Sequence, residues 1–170
     1  MPNFTKRIIP FLKYNVLRDI RSCCSYCGVH LCANDRKLAS YKSLHKGERC
    51  FILGNGPSLK ITDLDQLQGE TTFACNKIYL AFAETNWRPT YYVVEDDLVV
   101  SQNYQEIDEL SGSIKFFPER FKKFIPAFKD SIYFNMHQSN FHAKRKKFSK
   151  NAQLWTHLGR TVVFTMLQLA

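Results

Sequence analysis

Long apolar runs are missing from this 170-residue chain. A membrane-spanning helix needs about 18–20 consecutive apolar residues, and the longest candidates here, around Ile8–Leu12 and Val162–Ala170, are short or interrupted. The N-terminus also lacks an apolar secretory core, with Pro2 and scattered charges in its place. The expected setting is therefore cytoplasmic, where six cysteines are thiols rather than a disulfide framework. Glycine and proline are scarce, at seven and six, and no repeat or low-complexity tract is visible, which excludes fibrous and linker-like classes. Acidic charge is in the minority, with 15 Asp+Glu against 24 Lys+Arg and a net charge of +9. A chain of this length that is 45% hydrophobic and 14% aromatic can bury one core, so a single globular domain is expected.

The charge is unevenly placed. Residues 1–50 hold ten Lys/Arg and three Asp/Glu (+7), residues 51–112 three and ten (−7), and residues 113–170 eleven and two (+9). An acidic middle between basic flanks is not the profile of a nucleic-acid binder, and no nucleic-acid partner is expected. Much of the third block is the cluster Lys144, Arg145, Lys146, Lys147 and Lys150 beside His142 and Phe148. It reads as a solvated loop or as a basic segment facing phosphate or an anionic surface.

Three regions follow one another. Phe4, Ile8, Phe11, Leu12, Val16 and Ile20 recur at helical spacing, with Lys6, Lys13, Arg18 and Arg21 largely between them. This predicts a basic amphipathic helix, bent at Pro10, within an N-terminal extension over residues 1–46. It packs on its own domain or makes peripheral contact with the inner face of a membrane. From Arg49 the pattern becomes strand-like at Cys50–Leu53, Thr71–Cys75, Tyr91–Glu95, Ile114–Phe117 and Ser131–Asn135. Helix-compatible stretches lie between, at Thr62–Leu67, Lys77–Thr85, Leu98–Leu110 and Glu119–Phe124, and Gly159–Ala170 opens a last helix. Five alternations predict an α/β domain over residues 47–170, Rossmann-like and doubly wound, with a mostly parallel sheet. The apolar ending Gln168-Leu169-Ala170 carries no cap, and the domain is expected to be incomplete there.

The strand ends carry the chemistry. Phe51-Ile52-Leu53-Gly54-Asn55-Gly56-Pro57-Ser58-Leu59 runs from a strand into a turn whose glycines present no Cβ to a ligand. Pro57 suits a first helical turn, and Ser58 offers a hydroxyl and an amide where a helix start attracts anions. The string is neither a Walker A loop nor a full dinucleotide fingerprint, since Leu59 stands where the third Gly would be. Asn76 and Lys77 follow the second strand, and Glu95-Asp96-Asp97 follow the third. Such crowded carboxylates call for a metal, ribose hydroxyls or a cation, or else decorate a helix N-terminus.

These residues resemble the 6-hydroxymethylpterin diphosphokinase-like (MptE-like) domain family over about Lys46–Asn103. The Gly-Asn-Gly-Pro-Ser-Leu string and the Cys75-Asn76 pair are also similar to bacterial lipooligosaccharide sialyltransferases, which use CMP-sialic acid on a Rossmann-like fold. Gly159-Arg160-Thr161-Val162 resembles a Gly-Gly-Thr-Val helix start of the same group, with Arg160 replacing the second Gly. The resemblance implies nucleotide binding by Gly54, Asn55, Gly56, Pro57, Ser58, Asn76, Asp96, Asp97, Gly159 and Thr161. The implied activity is that of a glycosyltransferase-like enzyme of surface-polysaccharide assembly using a nucleotide-sugar. The alternative is ATP-dependent pyrophosphoryl transfer to a hydroxymethylpterin, with Mg²⁺ on Asp96 and Asp97. A nucleotide-binding or scaffold protein without catalysis is the reading from a different class. The family's next strand, ending Gly-x-Asp, and the sialyltransferases' catalytic His have no counterpart in the 170 residues.

Cys23, Cys24, Cys27, His30 and Cys32 form a compressed cluster that reads as helix-borne thiols packed on the core, or as a zinc-ligand set. Cys50 and Cys75 are expected in the core. His157, just before Gly159, is the candidate acid or base; His137 and His142 show no partner pattern.

Overall fold

The structure, a computed structural model, describes residues 4–123, 126–138 and 147–170, with side chains from Asn15 onward except that of Lys123. His142, Lys144, Arg145 and Lys146 of the basic cluster lie outside these residues, as do the side chains of Phe4, Ile8, Phe11 and Leu12. Two helices, α1 (Phe4–Tyr26) and α2 (Ala33–Ser40), precede five strands: β1 (Cys50–Ile52), β2 (Thr71–Cys75), β3 (Tyr91–Val93), β4 (Ile114–Pro118) and β5 (Ser131–Phe134). All neighbours pair in parallel, in the order β1-β2-β3-β4-β5. The fold is therefore α/β and Rossmann-like, with an N-terminal helical extension.

Parallel neighbours require a crossover, and successive right-handed crossovers in sequential strand order all land on one face. On that face lie α3 (Ile61–Asp65), a 3-10 segment (Asn76–Ala83), α4 (Asp97–Gln102), α5 (Tyr104–Glu109) and a second 3-10 segment (Glu119–Lys123). They contribute Leu64, Ile78, Val100, Ile107 and Phe121, packed on Ala74, Tyr92, Phe117 and Tyr133 from the strands. The alternate strand residues Phe73, Tyr91, Val93, Phe116, Ile132 and Phe134 point the other way. There they meet Leu38 of α2 and Val162 and Met166 of α6 (Val162–Leu169), so helices cover both faces of the sheet. Strands buried on both faces read as continuous apolar runs, which explains why the sequence marked them so clearly.

The pattern did not predict α2, nor the short parallel pair β6 (Met136–His137) and β7 (Thr156–His157). Cys75 is buried as expected, but Cys50 is exposed because β1 is an edge strand. Cys23 on α1 and Cys27 in the turn after it are likewise exposed instead of packed inward. Among the described residues no three His, Cys, Asp or Glu side chains are grouped to hold a metal. None of the helices searched there is long and apolar enough to cross a membrane.

Candidate functional site

Parallel strands bring every strand end to one edge, and open α/β sheets bind ligands there. At this edge a cleft of about 490 Å³ is lined by Asn76, Glu95, Asp96, Asp97, Leu98, Arg120 and the stretch Leu158–Val162. Five positions singled out from the sequence, Asn76, Asp96, Asp97, Gly159 and Thr161, thus share one cavity.

Each is held by a definable local cause. Asn76 turns the chain out of β2 in the left-handed region, φ +48°, which Asn tolerates better than most residues. Its carbonyl accepts a 2.6 Å hydrogen bond from the Tyr92 hydroxyl, while its carboxamide has no partner among the described residues. Asp96 caps α4, its Oδ1 accepting from the amides of Leu98 (2.7 Å) and Val99 (3.3 Å). The helix-terminus reading of this carboxylate is what the structure displays. Asp97 pairs with Arg120 at 3.0 Å. Arg120 also donates to the Glu95 carbonyl and lies 3.3 Å from Met136 Sδ.

Glu95 forms the inner part of the cleft and is only 9% exposed. Its carboxyl accepts from the Thr165 hydroxyl on α6. Burial pushes this carboxyl above the usual range, against the opposing pull of Thr165 and Arg120. Thr161 caps α6 through Val163 N at 3.3 Å. A Cβ on Gly159 would sit 2.7 Å from Phe164 Cβ, so only glycine lets this wall of the cleft close. Arg160 is exposed and makes no ion pair among the described residues.

The Gly54–Ser58 loop adjoins the cleft without lining it. Asn55 Nδ2 donates to the Cys75 carbonyl at 2.8 Å, tying the loop to the tip of β2. The expected helix start at Pro57 and Ser58 is absent. Gly56–Leu59 is a turn closed by Leu59 N to Gly56 O at 3.1 Å, and α3 begins only at Ile61. The amides of Gly54, Asn55, Gly56 and Ser58 have no partner among the described residues, and all four residues are exposed. An added Cβ would meet nothing within 4 Å at Gly54, and only Ser58 Oγ at 3.9 Å at Gly56. Neither glycine is demanded by packing, so the bare backbone leaves room for something outside the chain.

His157 does not line the cleft. It sits in β7, the residue 9% exposed and its Nδ1 buried without a hydrogen-bond partner, its ring centroid 6.1 Å from that of His137. Burial first, then His137 and Lys147, hold it below the usual histidine range. Arg120 and Leu158 are lining residues that sequence reasoning passed over, and Glu95, marked there only as part of the acidic trio, also lines the cleft. Extending the strand-end argument to β4 would have found Arg120, which follows that strand by two residues.

No protein-family model matches the chain, and neither the curated proteins nor the solved structures contain a match to it.

Proposed function

We propose that the chain is a nucleotide-dependent transferase of the glycosyltransferase type, taking a CMP-sugar or similar donor in bacterial surface-glycan assembly. The observation that carries the reading is the single carboxyl-edge cleft containing Asn76, Asp96, Asp97, Gly159 and Thr161. The unpartnered amides of Gly54–Ser58 border it. In this reading those amides and the N-terminus of α6 hold the donor phosphate, because the loop presents unpartnered N–H groups and the helix start its positive dipole end to an anion. The open carboxamide of Asn76 contacts base or ribose, and the unshared oxygens of Asp96 and Asp97 accept from ribose hydroxyls. The acceptor hydroxyl oxygen forms a bond to the sugar carbon as the bond from that carbon to the nucleotide phosphate breaks, and the hydroxyl proton is released to water in this open cleft. Arg160 and Arg120 stabilise the charge that gathers on the departing phosphate.

Peripheral membrane contact through α1 belongs to the same proposal. Val16, Leu17 and Ile20 are all more than half exposed on that helix, and an interfacial helix presents such a face.

Thermal melting with CMP, CTP or ATP plus Mg²⁺ tests the reading. A ligand at a hundred times its Kd stabilises by about 2.7 kcal/mol, a shift of several degrees. CMP and CTP are expected to raise Tm, and Gly56→Val to abolish the rise while leaving the unliganded Tm unchanged, since its Cβ enters open space. A rise seen only with ATP and Mg²⁺ identifies the pyrophosphokinase instead. Silence toward all three nucleotides leaves a non-catalytic scaffold. An undiminished response in Gly56→Val removes the loop from the site.

A further inference from the structure

A second cavity, of about 350 Å³, opens at the opposite end of the sheet, between the stretch following α2 and the starts of β1–β3. This is within the range of small-ligand pockets. Its inner wall is aromatic: Tyr41, Phe73, Tyr91 and Phe116 all line it. Tyr41 meets Tyr91 and Phe116 edge-on, at centroid separations of 6.0 and 5.8 Å, the geometry that aromatic quadrupoles favour.

A polar relay fixes this wall. Glu48 Oε2 lies 2.7 Å from His45 Nδ1, and His45 Nε2 lies 2.6 Å from the Tyr91 hydroxyl. A carboxylate only accepts, so Nδ1 carries a proton toward Glu48, while Nε2 is joined to the Tyr91 hydroxyl. The phenol stays protonated, burial having pushed it up to about 12. The relay spans residues 45–91 and holds the loop after α2 against β3, so the cavity is formed before any ligand arrives. Such preorganisation lowers the cost of binding.

The mouth is basic. Lys42, Lys46 and Lys150 are exposed lining residues, with the Lys42 ammonium committed to the Tyr26 ring at 5.1 Å. Glu48 is the one acidic side chain of the lining and is hydrogen-bonded to His45. Three lysines against one carboxylate leave the lining side chains with an excess of positive charge, and with the rings within they select a ligand with both features. We propose that this cavity is a second binding site, for a small aromatic ring carrying an anionic group, with the ring against Tyr41, Tyr91 and Phe116 and the charge between Lys46 and Lys150.

Calorimetric titration of the full chain with benzoate tests the proposal, with cyclohexanecarboxylate and benzyl alcohol as probes lacking the ring or the charge. Benzoate is expected to bind, cyclohexanecarboxylate about fivefold more weakly because ring–ring contact is removed, and benzyl alcohol up to about tenfold more weakly because the charge contacts are removed. Lys46→Gln/Lys150→Gln changes exposed side chains only. It should weaken benzoate by up to about tenfold, the sum of two exposed charge contacts, and leave benzyl alcohol unaffected. Saturating CMP and the Gly56→Val change, both at the far end of the sheet, should leave benzoate affinity unaltered. Absence of benzoate binding at millimolar concentration overturns the proposal. So does cyclohexanecarboxylate binding as tightly as benzoate, or an unchanged benzoate affinity in the double lysine variant.

Discussion

Glu95 concentrates the residue-scale chemistry of the cleft. The strand it follows carries it out of water, and its hydroxyl partner comes from Thr165, seventy residues away. Because burial raises its folded-state pKa, the folded protein favours the protonated carboxyl. The associated stability is fully present below the unfolded pKa and is lost as pH rises through the folded value. Glu95→Gln imitates the protonated form at every pH. Urea midpoints measured between pH 4 and pH 7 should therefore show the wild type losing ground to this variant as pH increases. A difference that stays constant with pH would mean that the carboxyl is solvated in the folded protein. Asp96 makes the complementary point. One of its oxygens already serves α4, so the ribose contact proposed for it uses only the other.

At the scale of elements, sheet edges decide what the helices must do. A parallel sheet of five strands leaves β1 and β5 each with an unpaired side, a template for unwanted pairing. β1 has only three residues, which limits the liability. β5 is closed by a side chain acting as a strand: Asn34 on α2 accepts from Tyr133 N and donates to Tyr133 O, both at 2.8 Å. Asn34→Ala should cost about 2 kcal/mol, since two strand groups lose their partner at once. Guanidinium unfolding would measure that loss, and hydrogen exchange at the Tyr133 amide should accelerate with it. Retained protection at that amide would show that water or a neighbouring chain replaces the carboxamide. The extension thus contributes to the sheet, through Asn34 at its edge and Leu38 in its second core.

Across the whole molecule, the charge blocks of the sequence meet as ion pairs. Arg49 of the first block bonds Glu70 of the second, and Arg120 of the third bonds Asp97 of the second. Arg21 on α1 reaches Asp35 on α2 at 3.1 Å and Glu119 after β4 at 2.6 Å. Both carboxylates are almost wholly buried, whereas the guanidinium keeps about a quarter of its surface. Arg21→Met should cost about 2–3 kcal/mol, below the loss from a fully buried pair because water reaches the arginine. The variant should also loosen α1, read as faster proteolysis between α1 and α2. Unchanged stability would mean that α1 is held by its other contacts, among them the hydrogen bonds of Asn135 to Asp19 and Ser22.

The parallel α/β plan was legible because its signals are local. Apolar runs of four or five residues mark doubly buried strands, and Asn76, Asp96 and Gly159 follow strands by one to three residues wherever the chain goes. Parallel pairing then collects such positions at one edge, so the cleft membership of Asn76, Asp96 and Asp97 could be anticipated from strand ends. Gly159 and Thr161 instead follow a strand the pattern did not mark and are reached through the family resemblance alone. Other features depend on groups far apart in sequence: Arg120 neutralising Asp97, Thr165 meeting Glu95, Asn34 closing β5 and Tyr91 completing a relay with His45. The turn at Pro57 and Ser58 shows the same limit at short range, since helix-compatible residues there yield to a β-turn three residues ahead of α3. The amino-acid sequence by itself determined which segments become strands and which polar residues stand at their ends, because hydrophobic period and turn chemistry act between near neighbours. The tertiary structure alone decided which of those polar groups stay open to a ligand and which are consumed by caps and ion pairs, because that depends on distances that exist only once the sheet has assembled.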